Sequence, residues 1–155
     1  MQAQRRAVLK SAGAAGVVGV AMAAGLLKPG LAFANWNKAA FEARSVDAAL
    51  SAAGLSGAAN SGDITVKAPD IAENGAVVPV EVTTTLPNPE TIALIGEKNT
   101  LPMIASFGLM NGAQGFVSTR IKMGTTSNVR AVVKSGGKLY TAAKEVKVTI
   151  GGCGG

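Results

Sequence analysis

From residue 63 onward the chain alternates between apolar and polar positions. Val78, Val80 and Val82 fall on one side of an extended backbone, with Pro79, Glu81 and Thr83 on the other. Leu101, Met103, Ala105, Phe107 and Leu109 repeat the pattern. So do Val117, Thr119, Ile121 and Met123, opposite Ser118, Arg120 and Lys122. Val129, Ala131 and Val133 follow, and the last run places Val146, Val148 and Ile150 opposite Glu145, Lys147 and Thr149. A period of two is the signature of strands with one buried face. The stretch before residue 63 has a different period. In WNKAAFEARSVDAALSAA, residues 36–53, Trp36, Ala40, Ala43, Val46 or Asp47, and Leu50 recur at three- and four-residue steps. That spacing predicts a helix, with Asn37 able to cap its start and Gly54 to end it. Its apolar stripe is suited to packing on the rest of the domain, the expected arrangement, or on a partner.

Between the alternating runs lie Asn74-Gly75, Asn88-Pro89, Asn111-Gly112 and Ser135-Gly136-Gly137, residue types that supply positive φ or a fixed proline φ in turns. Half a dozen or more short strands, each with one apolar face, close most readily as a two-sheet sandwich. The chain is therefore expected to be mainly β, an antiparallel β-sandwich with a short N-terminal helix. No repeat of solenoid or propeller length is present.

The first 34 residues stand apart. Arg5 and Arg6 precede an uncharged apolar stretch from Ala12 to Leu27, and Ala32-Phe33-Ala34 supplies a small-x-small cleavage pattern. Paired arginines with a hydrophobic residue shortly after resemble the twin-arginine type of bacterial export signal. A single-pass anchor is the competing reading, but the run is short of the roughly 20 residues a bilayer core requires. The expected organisation is a signal at 1–34, a helix and linker at 35–62, a β-sandwich at 63–150 and a flexible arm at 151–155. The implied location is the periplasm, with no membrane association once the signal is cleaved.

Charge changes meaning on that division. The whole chain carries 15 Lys and Arg against 9 Asp and Glu, a formal +6. Arg5, Arg6, Lys10 and Lys28 all lie in the signal, which has no acid, so residues 35–155 keep eleven cations against nine acids, a net of +2. Nucleic-acid binding loses its global support. Arg120, Lys122, Arg130 and Lys134 lie on successive expected strands and are open to two readings: a solvated outer face, or one positive surface for an acidic partner or anions.

Much chemistry is excluded. There is no histidine, which removes Ser-His-Asp and Cys-His sites and every imidazole metal site. One cysteine allows no CxxC and no intrachain disulfide. The nine acids form no recognisable catalytic pattern, and no glycine-rich phosphate loop follows a strand. No metal, cofactor or catalytic residue is expected.

What remains is Cys153, with Gly151 and Gly152 before it and Gly154 and Gly155 after it. Glycine makes a chain thin and mobile, because both signs of φ are open to it. Such an arm can enter a narrow channel in another protein, but nothing fixed surrounds the thiol to build an active site of its own. Four readings stay open: an incidental cysteine, an intermolecular disulfide, a covalent attachment point, and a Gly-Gly ending of the ubiquitin-like sulfur-carrier kind. The last requires ATP for adenylation and leaves the cysteine without a role.

Taken together, VPVEVT at 78–83, LPNPETIALIGEKN at 86–99, VSTRIKMGTTSNVRAVVKSGGKLY at 117–140 and the ending KVTIGGCGG resemble the SoxY family, the sulfur-carrier subunits of bacterial thiosulfate-oxidising systems. The resemblance implies an immunoglobulin-like sandwich and a heterodimer with a second β protein, SoxZ. It implies that Cys153 holds the sulfur substrate covalently on an arm of Gly151, Gly152, Gly154 and Gly155. Partner enzymes would then act on it: a haem-containing enzyme that conjugates thiosulfate, a hydrolase that releases sulfate and, in some organisms, a sulfane dehydrogenase. The protein itself would be a carrier and not an enzyme. The alternative is a noncatalytic exported sandwich tethered through a Cys153 intermolecular disulfide.

Overall fold

The computed structural model describes residues 37–110 and 112–149, all within one compact unit spanning Trp36–Gly155. Its described residues begin with two helices where the periodicity predicts one. Helix α1 (Lys38–Glu42) is capped by the Asn37 side chain, which accepts the Ala40 N–H at 3.2 Å. Ala43 then adopts an extended conformation, and Ser45 starts α2 (Val46–Ala52) by accepting the Ala48 N–H at 3.2 Å. Serine competes with a continuing helix by bonding to nearby backbone, so the apolar stripe survives while the helix breaks. Asn37 also donates to the Ala52 carbonyl at 2.8 Å, tying the first turn of the pair to the last. Gly54, at φ 67°, ends α2: its N–H reaches the Ser51 carbonyl and the Leu55 N–H reaches Leu50, the paired bonds that close a helix through a left-handed residue.

Among the described residues nine strands follow: β1 (Ala59–Asn60), β2 (Ile64–Lys67), β3 (Ile71–Ala72), β4 (Val78–Thr84), β5 (Pro89–Gly96), β6 (Met103–Gly108), β7 (Phe116–Ile121), β8 (Ser127–Ser135) and β9 (Lys138–Val148). They form two sheets. The larger has the order β1-β9-β8-β5-β6, with β3 also on β9; the smaller is β2-β4-β7. The expected antiparallel β-sandwich is the observed architecture, and its immunoglobulin-like character holds. Two short additions differ in direction, since β1 and β3 pair with β9 in parallel. β1 lies within the stretch expected as linker. The β8–β9 hairpin closes through Gly136 and Gly137, both at positive φ, so that Ser135 faces Lys138 across a two-residue turn.

The main core lies between the sheets. Val78, Val80 and Val82 from β4, with Val117 and Ile121 from β7, meet Ile92 and Leu94 from β5, Val129, Ala131 and Val133 from β8, and Val146 from β9. Each fully buried Val, Leu or Ile contributes roughly 1.5–3 kcal/mol. A second cluster covers the outer face of the larger sheet, where Ala40, Ala49 and Leu55 pack on Ala93, Ile95, Met103 and Val132. The helical stripe thus packs on its own domain.

That second layer explains β5, which alternation alone does not predict. Ile92, Ala93, Leu94 and Ile95 are all fully buried, because one face meets the opposing sheet and the other meets the helices. β6 departs from simple alternation as well. Its pairing with β5 shifts between Leu94 and Ile95, where Leu94 faces Ala105 and Ile95 faces Met103. This bulge turns Met103 to the helix side, while Ala105, Phe107 and Ile104 pack on the main core.

Candidate functional site

The sequence-predicted attachment point, Cys153, and its arm residues Gly151, Gly152, Gly154 and Gly155 lie outside the described residues. So do the signal at 1–34 and the last expected core residue, Ile150. What the structure does show is the platform from which residue 150 continues, and how firmly it is held.

β9 brings the chain to Val148 and Thr149 at one end of the sandwich. Val146 is fully buried and Val148 packs against the main core, so alternation sinks this strand between its neighbours. Backbone and hydroxyl bonds then fix its final residues from two sides. On one side Lys147 N–H donates to Asp70 at 2.9 Å and Thr149 N–H to Ala72 at 3.1 Å, through the parallel pairing with β3. The Thr149 hydroxyl adds a bond to the Glu73 carbonyl at 3.2 Å. On the other side the Thr126 hydroxyl accepts the Val148 N–H at 2.9 Å.

The surrounding loops are fastened to the same end. Met123 N–H donates to the Gly75 carbonyl at 2.7 Å, joining the end of β7 to the loop after β3. Asn99 donates to the Lys122 carbonyl at 2.8 Å and accepts the Gly124 N–H at 3.0 Å, so the β5–β6 turn grips the β7–β8 connection across the two sheets. No buried side-chain nitrogen or oxygen among the described residues lacks a hydrogen-bond partner. Thr126, Thr149 and Asn99 were not singled out by sequence reading. Thr126 and Thr149 carry no signal beyond that of ordinary polar residues near strand ends.

The four cations read as a possible single face are divided. Arg120 lies on β7 and Lys122 just beyond it, in the smaller sheet, while Arg130 and Lys134 lie on β8 in the larger. A single positive face is therefore ruled out, because consecutive strands here belong to opposite sheets. Arg130 is ion-paired with Glu97, which also accepts from Asn128 at 3.0 Å. Lys134 pairs with Glu90 at 3.0 Å. The Lys134 bond, helped by the Gly137 N–H, holds the Glu90 carboxyl below its ordinary value.

Among the described residues no group of three or more His, Cys, Asp or Glu is placed to hold a metal ion. No helix among them is long and apolar enough to cross a membrane.

Fold and site define an immunoglobulin-like β-sandwich, capped by helices on one side, whose clamped last strand leads into a segment carrying a single thiol. A family model described as "Sulfur oxidation protein SoxY" matches residues 51–153, a stretch that runs through Cys153. The chain belongs to the SoxY family. Among solved structures it is similar to the sulfur carrier protein SoxY from Chlorobium limicola f thiosulfatophilum, with 46% sequence identity and a TM-score of 0.57. That match covers 64% of this chain and 92% of the other. A superoxide reductase (neelaredoxin) from Ignicoccus hospitalis is more distant, at 20% identity and a TM-score of 0.48, covering 55% of this chain and 79% of the other. No curated protein matches the chain.

Proposed function

We propose that this protein is a periplasmic sulfur carrier that binds thiosulfate and its derivatives covalently on Cys153 and presents them to separate enzymes. Membership of the SoxY family, with the matched region reaching Cys153, is the observation that carries the reading. The named role of the Chlorobium relative as a sulfur carrier supports it. The clamped end of β9 suits a carrier, which needs a fixed base for a short arm.

In the loading step, the Cys153 thiol and thiosulfate form a sulfur–sulfur bond. One proton is lost, and two electrons pass to a haem-containing conjugating enzyme. The product is a cysteine S-thiosulfonate. Water then attacks its sulfonate sulfur in a hydrolase, releasing sulfate and one proton and leaving a cysteine persulfide, Cys–S–SH. A sulfane dehydrogenase is the enzyme class that would oxidise the outer sulfur further. The thiolate is the reacting form, and a free cysteine near pKa 8.5 holds only about a few per cent of it at neutral pH. Activation is therefore assigned to the enzyme's pocket. Gly151, Gly152, Gly154 and Gly155 keep the approach narrow.

Export by the twin-arginine route and a stable complex with a SoxZ-like β protein complete the reading. Intact mass spectrometry of the native complex tests it: wild-type protein should carry sulfur adducts that reductant removes, and Cys153→Ser should carry none. Undiminished thiosulfate oxidation by a reconstituted system containing Cys153→Ser would refute the carrier. A protein that runs as a monomer with reductant and as a disulfide-linked dimer without it would favour the tether instead.

A further inference from the structure

The two outer faces of the sandwich are treated differently. The helices cover that of the larger sheet, whereas nothing among the described residues covers that of β2-β4-β7. Strand register sets out the open face in rows. Thr65, Thr83 and Phe116 form one row; Lys67, Glu81 and Ser118 form the next; Pro79 and Arg120 form a third. Val77 and Lys122 flank its far end. Phe116 is 48% exposed and Val77 53%.

The cations here are unpaired. Ion pairs among the described residues engage Lys38, Arg130, Lys134 and Lys144, and none engages Lys67, Arg120 or Lys122. Glu81 within the face and Glu73 at its edge leave a positive excess. The face also runs to the arm's base: Met123, next to Lys122, bonds to Gly75, two residues after the Glu73 carbonyl that holds Thr149.

Chain length sets the scale of an encounter. Cys153 is four residues beyond Thr149, at most roughly 13–14 Å of extended backbone. An enzyme that takes the sulfur into a water-excluding site uses most of that length as depth. Its rim must then rest on the body around Thr149, where the uncovered face begins.

We propose that the outer face of β2-β4-β7, centred on Arg120 and Lys122, is the docking surface for an acidic rim around the active-site channel of the enzymes that act on Cys153. This rests on Cys153 being the loading site. Charge attraction speeds encounter without demanding the large apolar contact that would slow release, which suits a carrier that must leave each enzyme.

The test uses the purified native complex with the thiosulfate-conjugating enzyme, comparing wild type, Arg120→Glu/Lys122→Glu, the milder Arg120→Gln/Lys122→Gln, and Lys38→Glu/Lys138→Glu as a charge-matched control. The Glu pair should lower kcat/KM for the carrier by about tenfold or more at low salt, with turnover at saturating carrier unchanged. The Gln pair should show a smaller loss in the same direction. Added salt should slow the wild type and erase the difference. Alkylation of Cys153 by iodoacetamide and the thermal midpoint should match wild type.

Equal kcat/KM across all variants would overturn the proposal, as would an equal loss in the control pair. Loss of the co-purifying β subunit from the Glu pair would also overturn it, since the face would then belong to the stable partner. Failure of the carrier reading looks different: wild type itself would acquire no adduct.

Discussion

The Thr126 hydroxyl and the Val148 backbone are joined in both directions. The oxygen accepts the Val148 N–H at 2.9 Å and lies 3.5 Å from the Val148 carbonyl, toward which its proton can point. One residue later Thr149 is held by Ala72 and Glu73 on the opposite side. The chain therefore reaches Thr149 on a strand fastened on both flanks.

Thr126→Val should loosen that base. A methyl group replaces a hydroxyl that is the partner of a partly buried N–H, a loss of roughly 1–3 kcal/mol. Amide hydrogen exchange should rise at Val148 and Thr149 more than in β5 or β8. Unchanged protection at Val148 would mean that the pairing with β3 suffices alone.

Gly152→Val tests the arm. A β-branched side chain next to the thiol restricts φ and widens the segment, so kcat/KM with the processing enzymes should fall about tenfold or more, since small misplacements of a reacting group are costly. Alkylation of Cys153 by a small reagent should proceed at the normal rate. Equal losses in both assays would point to a damaged thiol.

Gly115→Ala should destabilise the fold without touching the thiol. A Cβ there would stand 2.4 Å from the Thr84 Cγ2 and 2.9 Å from the Thr84 carbonyl oxygen, closer than atoms pack. The Gly115 carbonyl already accepts the Thr84 N–H at 2.7 Å, which leaves the two segments no room to part. A loss of about 1–3 kcal/mol in urea unfolding is expected, with intact sulfur loading at low temperature.

Glu90 gives a pH dependence. Lys134 and the Gly137 N–H hold its folded pKa below the ordinary value of 4.5. A depressed carboxyl stabilises the fold above its unfolded pKa, and that contribution fades as pH falls through the folded value. The Lys134–Glu90 pair is nearly half exposed, so the effect should be small and weakened by salt. Urea midpoints of wild type and Glu90→Gln should converge as pH drops below 4.5; a constant gap down to strong acid would contradict the assignment.

Local spacing was enough to determine a good deal. Strands with one wet face announce themselves by alternation, as Val78, Val80 and Val82 or Val129, Ala131 and Val133 do, and Gly136-Gly137 announces its turn because few other residues accept positive φ. Cys153 among glycines is likewise a local pattern, one that needs no fold to be noticed. Other features depend on what lies opposite. β5 looks like an undivided apolar run because both of its faces are buried, and only the packed helices reveal why. Met103 and Ala105 share a parity in the sequence, yet a bulge sends them to different layers. Arg120 and Arg130 read as neighbours on successive strands, but a sandwich places such strands in opposite sheets, leaving Arg120 exposed and giving Arg130 to Glu97. Thr126 and Thr149 look like any threonine near a strand end. Their hold on the base of the arm arises from contacts with residues 22 and 76 positions away along the chain, a distance over which spacing carries no information.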